Sequence, residues 1–245
     1  YSDSYLRMIQ NQLTSLFTHA AKIYDLPVNP CKKVKRMGNS DSRSLNFWTL
    51  EEYKQFIQTM EPGTRYYLMF EMLFWTGCRI GELLAITKAD INFEKNQLSI
   101  NKTYYRTGMQ DIITEPKTKQ SFRTIEIPEF LKEEIKEFVD GHYGMPDTER
   151  LFPVVQEAVQ HKMKRQIELA GVKKIRVHDL RHSHVAYLIE KGVEPLLIRD
   201  RLGHKDIRIT LNTYGHLYPN QQRKIANLLD NENAVIGLGE ERDEC

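Results

Sequence analysis

The stretch IRVHDLRHSHVAYLIEKGVEPLLIRDRLGHKDIRITLNTYGHLY, residues 175–218, decides how this chain is read. Its Leu, Ile and Val recur at helical spacing, which packing alone explains. His178, Arg181, His204 and Tyr214 recur on the same segments, and packing does not explain them. His178 and Arg181 stand at i and i+3, so both project from one side of a helix start. His204 follows Gly203, where a helix stops and the backbone turns. Tyr214 lies on the next short helix. Taken singly, each has a plain reading. A His or Tyr in a helical protein is most often structural, and an Arg beside a carboxylate is usually a surface pair.

Outward from that stretch the chain reads as mainly α with a small antiparallel β-meander, an α+β class. Residues 4–24 have Leu6, Ile9, Leu13, Leu16, Phe17 and Ala20 on one helical face. Pro27 and Pro30 end that helix, and residues 31–45, rich in Lys, Arg, Ser and Gly, read as a basic linker. Thr49 to Glu52 is a capping box that opens a helix. Residues 64–75 form a strongly apolar helix, its run from Tyr66 to Trp75 broken by Glu71, Gly77 ends it, and a short helix runs from Arg79 to Ile86. Between Ile91 and Ile127 three extended segments predict a meander with turns near Lys95, Gly108 and Lys119. Helices are predicted from Pro128 to Val139, from Val155 to Ala170, from His178 to Gly192, from Pro195 to Gly203, and from Asp206 to Thr213. A last one opens at Pro219. The domain reading is 1–30 as one terminal helix, 31–45 as linker, 46–230 as the main domain, and 231–245 as an acidic, disordered tail.

Composition narrows the function. A chain of 245 residues with 40% hydrophobic residues holds one large or two small domains with a real core. Mean hydropathy is −0.54, and no apolar run is long enough to cross a bilayer, so no membrane role is expected. The chain opens on Tyr1 rather than Met, which predicts a fragment lacking its N-terminal part. The three cysteines, Cys31, Cys78 and Cys245, are far apart with no C-x-x-C pair, as in a reducing cytosol. Net charge is only +2 but unevenly spread. Residues 160–183 carry seven Lys/Arg against two acids, whereas residues 230–245 carry one Arg against six. A basic body with an acidic tail suits a polyanion, although charge runs are as often solvated faces.

The motifs TGCRIGELLAI, EPKTKQSFRTIEIP, VHDLRHSHVAYLI and LGHKDIRITLNTYGHLYP occur in that order over residues 46–230. In these the chain resembles the catalytic domain of the tyrosine recombinases, the phage-integrase family. Residues 1–37 resemble the last helix of the family's core-binding domain and its linker. The resemblance implies that Arg79 and Arg181 are the catalytic arginines. It implies that Lys117 is the hairpin lysine, His178 and His204 the two histidines, and Tyr214 the nucleophile. Lys119 lies two residues from Lys117 on the same strand face and is the alternative general acid. Glu82 is expected to hold Arg79 in place. No metal and no cofactor are implied. The implied partners are double-stranded DNA and further copies in a homotetramer on DNA, with room for an accessory DNA-bending protein. The implied location is cytoplasmic, on the nucleoid. The flavour of the motifs points to a phage or mobile element.

The chemistry is coherent on its own. Cleaving a phosphodiester needs a nucleophile, positive groups on the transition-state oxygens, and a proton for the leaving 5′-oxygen. Two guanidiniums clamp the non-bridging oxygens, and His204 donates to them as well. Tyr214 attacks, His178 takes its proton, and Lys117 protonates the leaving group. Tyr218 is a second tyrosine, but it precedes Pro219, where a turn role is more natural. His178 and His182 at i and i+4 could seat zinc, but no third ligand lies at useful spacing, and His182 and His184 read as packing or supporting groups. The competing functions are a type IB topoisomerase-like nicking-closing enzyme, a DNA-binding module with a silent site, and a metal-dependent nuclease.

Overall fold

The computed structural model describes residues 1–38, 46–115, 122–142, 144, 146–217, 226–227 and 229–231. Two compact units form, Tyr1–Ser44 and Leu45–Cys245.

The first unit is a long helix with a return segment. Helix α1 (Asp3–Ile23) starts at Ser2, whose hydroxyl accepts from the Tyr5 amide. Its apolar stripe is covered only in part: Leu6, Ile9, Phe17 and Ala20 are half-buried, Leu13 and Leu16 are exposed, and the residue fully closed off is Gln10. The reason is polar. The Gln10 side chain donates to the Lys35 carbonyl and accepts from the Met37 amide. Asn29, also buried, donates to the Thr14 carbonyl and accepts from the Cys31 amide. Two amide side chains thus satisfy backbone groups of the segment that runs back along the helix. Residues Pro30–Lys33 form a 3-10 turn, so the first part of the expected linker has structure of its own.

The second unit is built around α2 (Leu50–Ile57) and α3 (Arg65–Thr76). The predicted capping box is present: Thr49 N donates to Glu52 Oε2 at 2.8 Å, and Glu52 N donates to Thr49 Oγ1. Tyr53 stacks on Phe74 with ring centroids 3.7 Å apart. Glu71, the one charge in the apolar run of α3, is tolerated because it accepts from the Tyr53 hydroxyl and the Trp75 indole. Gly77 ends α3 with φ of 66°. A Cβ there would lie 2.5 Å from the His184 ring, so the left-handed turn and the close approach both require glycine.

Short helix α4 (Ile80–Leu83) leads into the β part. Its strands are β1 (Ile91–Asn92), β2 (Gln97–Ile100), β3 (Thr103–Thr107), β4 (Gln110–Thr114) and β5 (Arg123–Glu126). They do not form one three-stranded meander. β1, β2 and β5 make an antiparallel sheet, and β3 and β4 make a separate hairpin inserted between β2 and β5. The break follows from bonds made by residues 101–102 to a distant carboxylate. Asn101 donates to Asp90, and Lys102 pairs with the same carboxylate at 2.6 Å. These bonds turn the chain back toward the end of α4 before it can extend β2.

The remaining helices are α5 (Glu129–Asp140), α6 (Gln156–Ala170), α7 (Asp179–Glu190), α8 (Pro195–Leu202) and α9 (Ile207–Tyr214). Asp206 caps α9, its carboxylate accepting from the Arg208 amide. The main core joins α2 to α6 with the sheet. A second, smaller cluster holds Val185, Ile189, Ile198, Leu202 and Tyr214, from α7, α8 and α9. None of the described helices is long and apolar enough to cross a membrane. Lys117 and Lys119, most of the helix expected from Pro219, and residues 232–245 lie outside the described residues.

Candidate active site

Sequence-distant arginines meet where α3 and α8 end. Arg181, on the first turn of α7, is 3% exposed. It donates to the Gly77 carbonyl at 2.7 Å and to the Leu202 carbonyl at 2.8 Å. A guanidinium carries five N–H groups in a fixed plane, so two anchored bonds leave a defined edge for a ligand. Both carbonyls close a helix C-terminus, where a positive group is favoured. Burial first and the Arg79 charge second pull Arg181 down to about 9. It therefore keeps its charge at neutral pH.

Arg79 lies at the start of α4 and is more open, its side chain 41% exposed. It is held by Glu82, which accepts from Arg79 Nη1 at 2.7 Å and from the Arg79 amide at 2.9 Å. Glu82 has a second partner that sequence reasoning did not find. Arg123, the first residue of β5, meets both Glu82 oxygens, at 2.8 and 3.2 Å, and both side chains are 5% exposed. Burial alone would raise the Glu82 carboxyl, but bonding to Arg123 and the Arg79 charge outweigh it and hold the acid at about 2. Arg123 Nε also donates to the Arg201 carbonyl. Arg201 in turn donates to His184 Nε2, to the Glu126 carbonyl and to the Trp75 carbonyl. The buried guanidiniums of Arg181 and Arg123 and the half-buried one of Arg201 thus tie α3, β5, α7 and α8 into one frame behind the site.

Tyr214, at the end of α9, is 2% exposed. Its hydroxyl and His182 Nδ1 share a 2.7 Å hydrogen bond. Burial pushes the phenol up to about 12 against the pull of Arg181 and Arg79, the two charges that act on it. His178 precedes α7, and its ring meets the His182 ring edge to face with centroids 5.4 Å apart. His204 follows Gly203, which ends α8 with φ of 67°, and bonds Thr210 Oγ1 through Nδ1. Among the described residues no hydrogen bond occupies Nε2. Burial, then Arg181 and Arg79, lower His204 to about 4. Burial and Arg181 lower His178 as well.

Arg79, Glu82, His178, Arg181, His204 and Tyr214 are therefore neighbours, with the Arg79 and Arg181 charges acting on His178, His204 and Tyr214. His182, read from sequence as packing or support, is the described bonding partner of the phenol. Arg123 carried no sequence signal beyond a charge at the first position of a strand. Among the described residues no cluster of three or more His, Cys, Asp or Glu could hold a metal ion. Beside the site, a cleft of about 460 Å³ is lined by His178, Arg176, Lys174, Lys164 and Ile80.

The sequence model of the phage integrase family matches residues 46–221. The chain belongs to the phage integrase family. Among curated relatives, this integrase-family chain is 32% identical to the ICEBs1 integrase of Bacillus subtilis (strain 168), over 91% of this chain and 65% of that protein. It is 28% identical to a XerC-like tyrosine recombinase of Caldanaerobacter subterraneus subsp. tengcongensis, over 94% of this chain and 66% of that protein. It thus spans just under two thirds of the length of both. Among solved structures, the Tn1549 transposon integrase in complex with a circular intermediate DNA superposes with a TM-score of 0.79 at 20% identity, over 95% of this chain and 80% of that one. A lambda integrase dimer bound to a core site gives 0.59 at 19% identity, over 89% of this chain and 59% of that one. These likenesses are of fold, and they agree with the α+β class expected from sequence.

One property of the integrase-family frame is measurable directly. Burial, with Arg201 and Arg181 nearby, holds His184 neutral, its pKa lowered to about 3. The unfolded chain binds a proton at His184 near pH 6.5, the folded chain far lower, so stability falls as pH drops below that value. At pH 5 the gap is worth about 2 kcal/mol. Urea unfolding at pH 7 and pH 5 is expected to show this loss. His184→Gln, which keeps an acceptor for Arg201, is expected to remove about that much of it. An unchanged pH dependence in the variant would place the effect elsewhere.

Proposed function

We propose that this chain is the catalytic part of a site-specific DNA recombinase that cleaves and rejoins DNA through a 3′-phosphotyrosine, for integration or excision of a phage or other mobile element. The observation that carries the reading is the meeting of one phenol with two guanidiniums, all from one chain. Tyr214 lies within the field of Arg181 and Arg79, on elements fixed by the same buried frame.

In this reading the scissile phosphate sits against Arg79 and the free edge of Arg181. Their donors meet the non-bridging oxygens as negative charge builds on the phosphorus centre. His204 Nε2 adds a third donor. The Tyr214 oxygen attacks phosphorus, the bond to the 5′-oxygen breaks, and that oxygen takes a proton from Lys117, with Lys119 the alternative. The Tyr214 proton goes to an imidazole beside it, His178 or the His182 ring that packs against it. Reversal by another strand's 5′-hydroxyl rejoins DNA without ATP, because the ester keeps the bond energy. The cations of the cleft beside His178 suit the phosphate backbone of double-stranded DNA. The Tn1549 integrase is solved in complex with a circular intermediate DNA and the lambda integrase bound to a core site, which supports DNA as partner. Residues 1–30, the linker 31–45 and the main domain 46–230 are then the end of a core-binding domain, a tether and the catalytic domain. A homotetramer on DNA, an accessory bending protein and a place on the nucleoid belong to the same proposal.

A nicked suicide substrate tests it. Purified protein is expected to form a covalent adduct with the DNA 3′ end in the presence of EDTA, and mass spectrometry is expected to find the nucleotide on the peptide containing Tyr214. A strict magnesium requirement, or a free 3′-hydroxyl product without adduct, would point to a nuclease. Relaxation of supercoils without exchange between duplexes would favour the nicking-closing alternative.

A further inference from the structure

The hydrogen bond to Tyr214 comes from a residue that the sequence reading left outside the chemistry. We infer that His182 is the general base of the strand-cleavage step, receiving the Tyr214 proton on Nδ1 as the phenolic oxygen attacks phosphorus. This rests on the recombinase reading above and adds a catalytic residue to it.

Three features carry the inference. The first is reach. A base must lie about 2.6–3.2 Å from the proton's owner, and His182 Nδ1 is 2.7 Å from the Tyr214 oxygen. The second is protonation. Burial, the neighbouring His178 and the Arg181 charge all act against a charged His182, while Asp179 alone favours it. The ring therefore rests neutral with a lone pair for the phenol. The third is placement. His182 lies on the same face of α7 as His178 and directly follows Arg181, so one helix carries the base and one clamp of the phosphate. His178 packs edge to face on His182 and fixes its ring, which makes it the supporting imidazole.

The step balances without a further reagent. The O–H proton of Tyr214 moves to His182 Nδ1, the O–P bond forms, and the bond from phosphorus to the 5′-oxygen breaks. The displaced oxygen takes its proton from Lys117, with Lys119 the alternative. On rejoining, the phenolate leaves phosphorus and recovers its proton from His182. An imidazolium held among guanidiniums returns that proton readily.

The test compares His182→Asn with the wild type in single-turnover cleavage of the suicide substrate. Asparagine places its carbonyl oxygen close to the Nδ1 position, so the phenol stays bonded but has no base. Expected are unchanged DNA affinity and thermal unfolding, and adduct formation slower by about 10²–10⁴-fold at neutral pH. The deficit is expected to narrow as pH rises, because solvent base takes over. His182→Ala is expected to regain rate with added imidazole. A wild-type rate in His182→Asn, together with loss of the pH dependence in His178→Asn, would overturn the assignment in favour of His178. Faster adduct formation in either His182 variant would also overturn it, showing that His182 restrains the phenol. Absence of any adduct in the wild type would instead defeat the recombinase reading itself.

Discussion

Tyr214→Phe is expected to leave DNA binding intact and to abolish the covalent protein–DNA adduct. The change removes one oxygen from a ring that is held by Val185, Ile189, Ile198 and Leu202. The ring's packing therefore survives. The lost hydrogen bond leaves His182 Nδ1 without its partner, at a cost of about 1–3 kcal/mol. That is small beside the chemical effect, since no other group takes over a nucleophile's oxygen at the same place. The arginines still hold the phosphate, so a mobility-shift assay is expected to show wild-type affinity at matched salt. An adduct that persists in Tyr214→Phe would move the nucleophile elsewhere, with Tyr218 the next residue to test.

Glu82→Ala is expected to be the most damaging single change in the frame behind the site. Glu82 is 4% exposed and neutralises Arg123, itself buried, together with Arg79. Removing it breaks a buried ion pair to Arg123, and breaking such a pair by deleting one partner costs about 3–5 kcal/mol. Titration leads to a similar figure. An acid held at about 2 rather than at its ordinary 4.5 is worth about 3 kcal/mol at neutral pH. The sign follows: this contribution is complete above the ordinary carboxyl range and is lost as pH falls toward 2. Against a typical total of about 5–15 kcal/mol, the loss is large. Glu82→Gln keeps one acceptor oxygen and is expected to lose less. In that variant Arg79 is no longer oriented by charge, and adduct formation is expected to slow by about 10²–10³-fold, as when one transition-state donor is lost. Urea unfolding with the suicide-substrate rate separates the two effects. A Glu82→Ala protein as stable as the wild type would show that the Glu82–Arg123 pair contributes no net stability.

Much of this arrangement is legible in one dimension because the relevant signals are local. The capping box at Thr49, the stop at Gly77 and the turn at Gly203 depend on neighbours within four residues. So do the described helices between residues 50 and 214. The β part was misread because its pairing is decided at a distance. Lys102 and Asn101 leave the strand for Asp90, eleven or twelve positions earlier in the chain, and periodicity does not register such a bond. Helix α1 shows the converse. Leu13 and Leu16 look inward by pattern, but the groups that need covering nearby are backbone amides, so Gln10 and Asn29 are the buried ones.

Residue types and their order determined which chemistry this protein is equipped for: a phenol, two guanidiniums and imidazoles on successive short helices, with glycines where those helices stop. The tertiary structure alone decided how they work on one another. It put Arg123 on Glu82 across 41 positions and His182 against Tyr214 across 32. The physical reason is burial. A side chain's partner and its charge state depend on what surrounds it in space, and residues far apart in sequence become that surrounding only when the chain is folded.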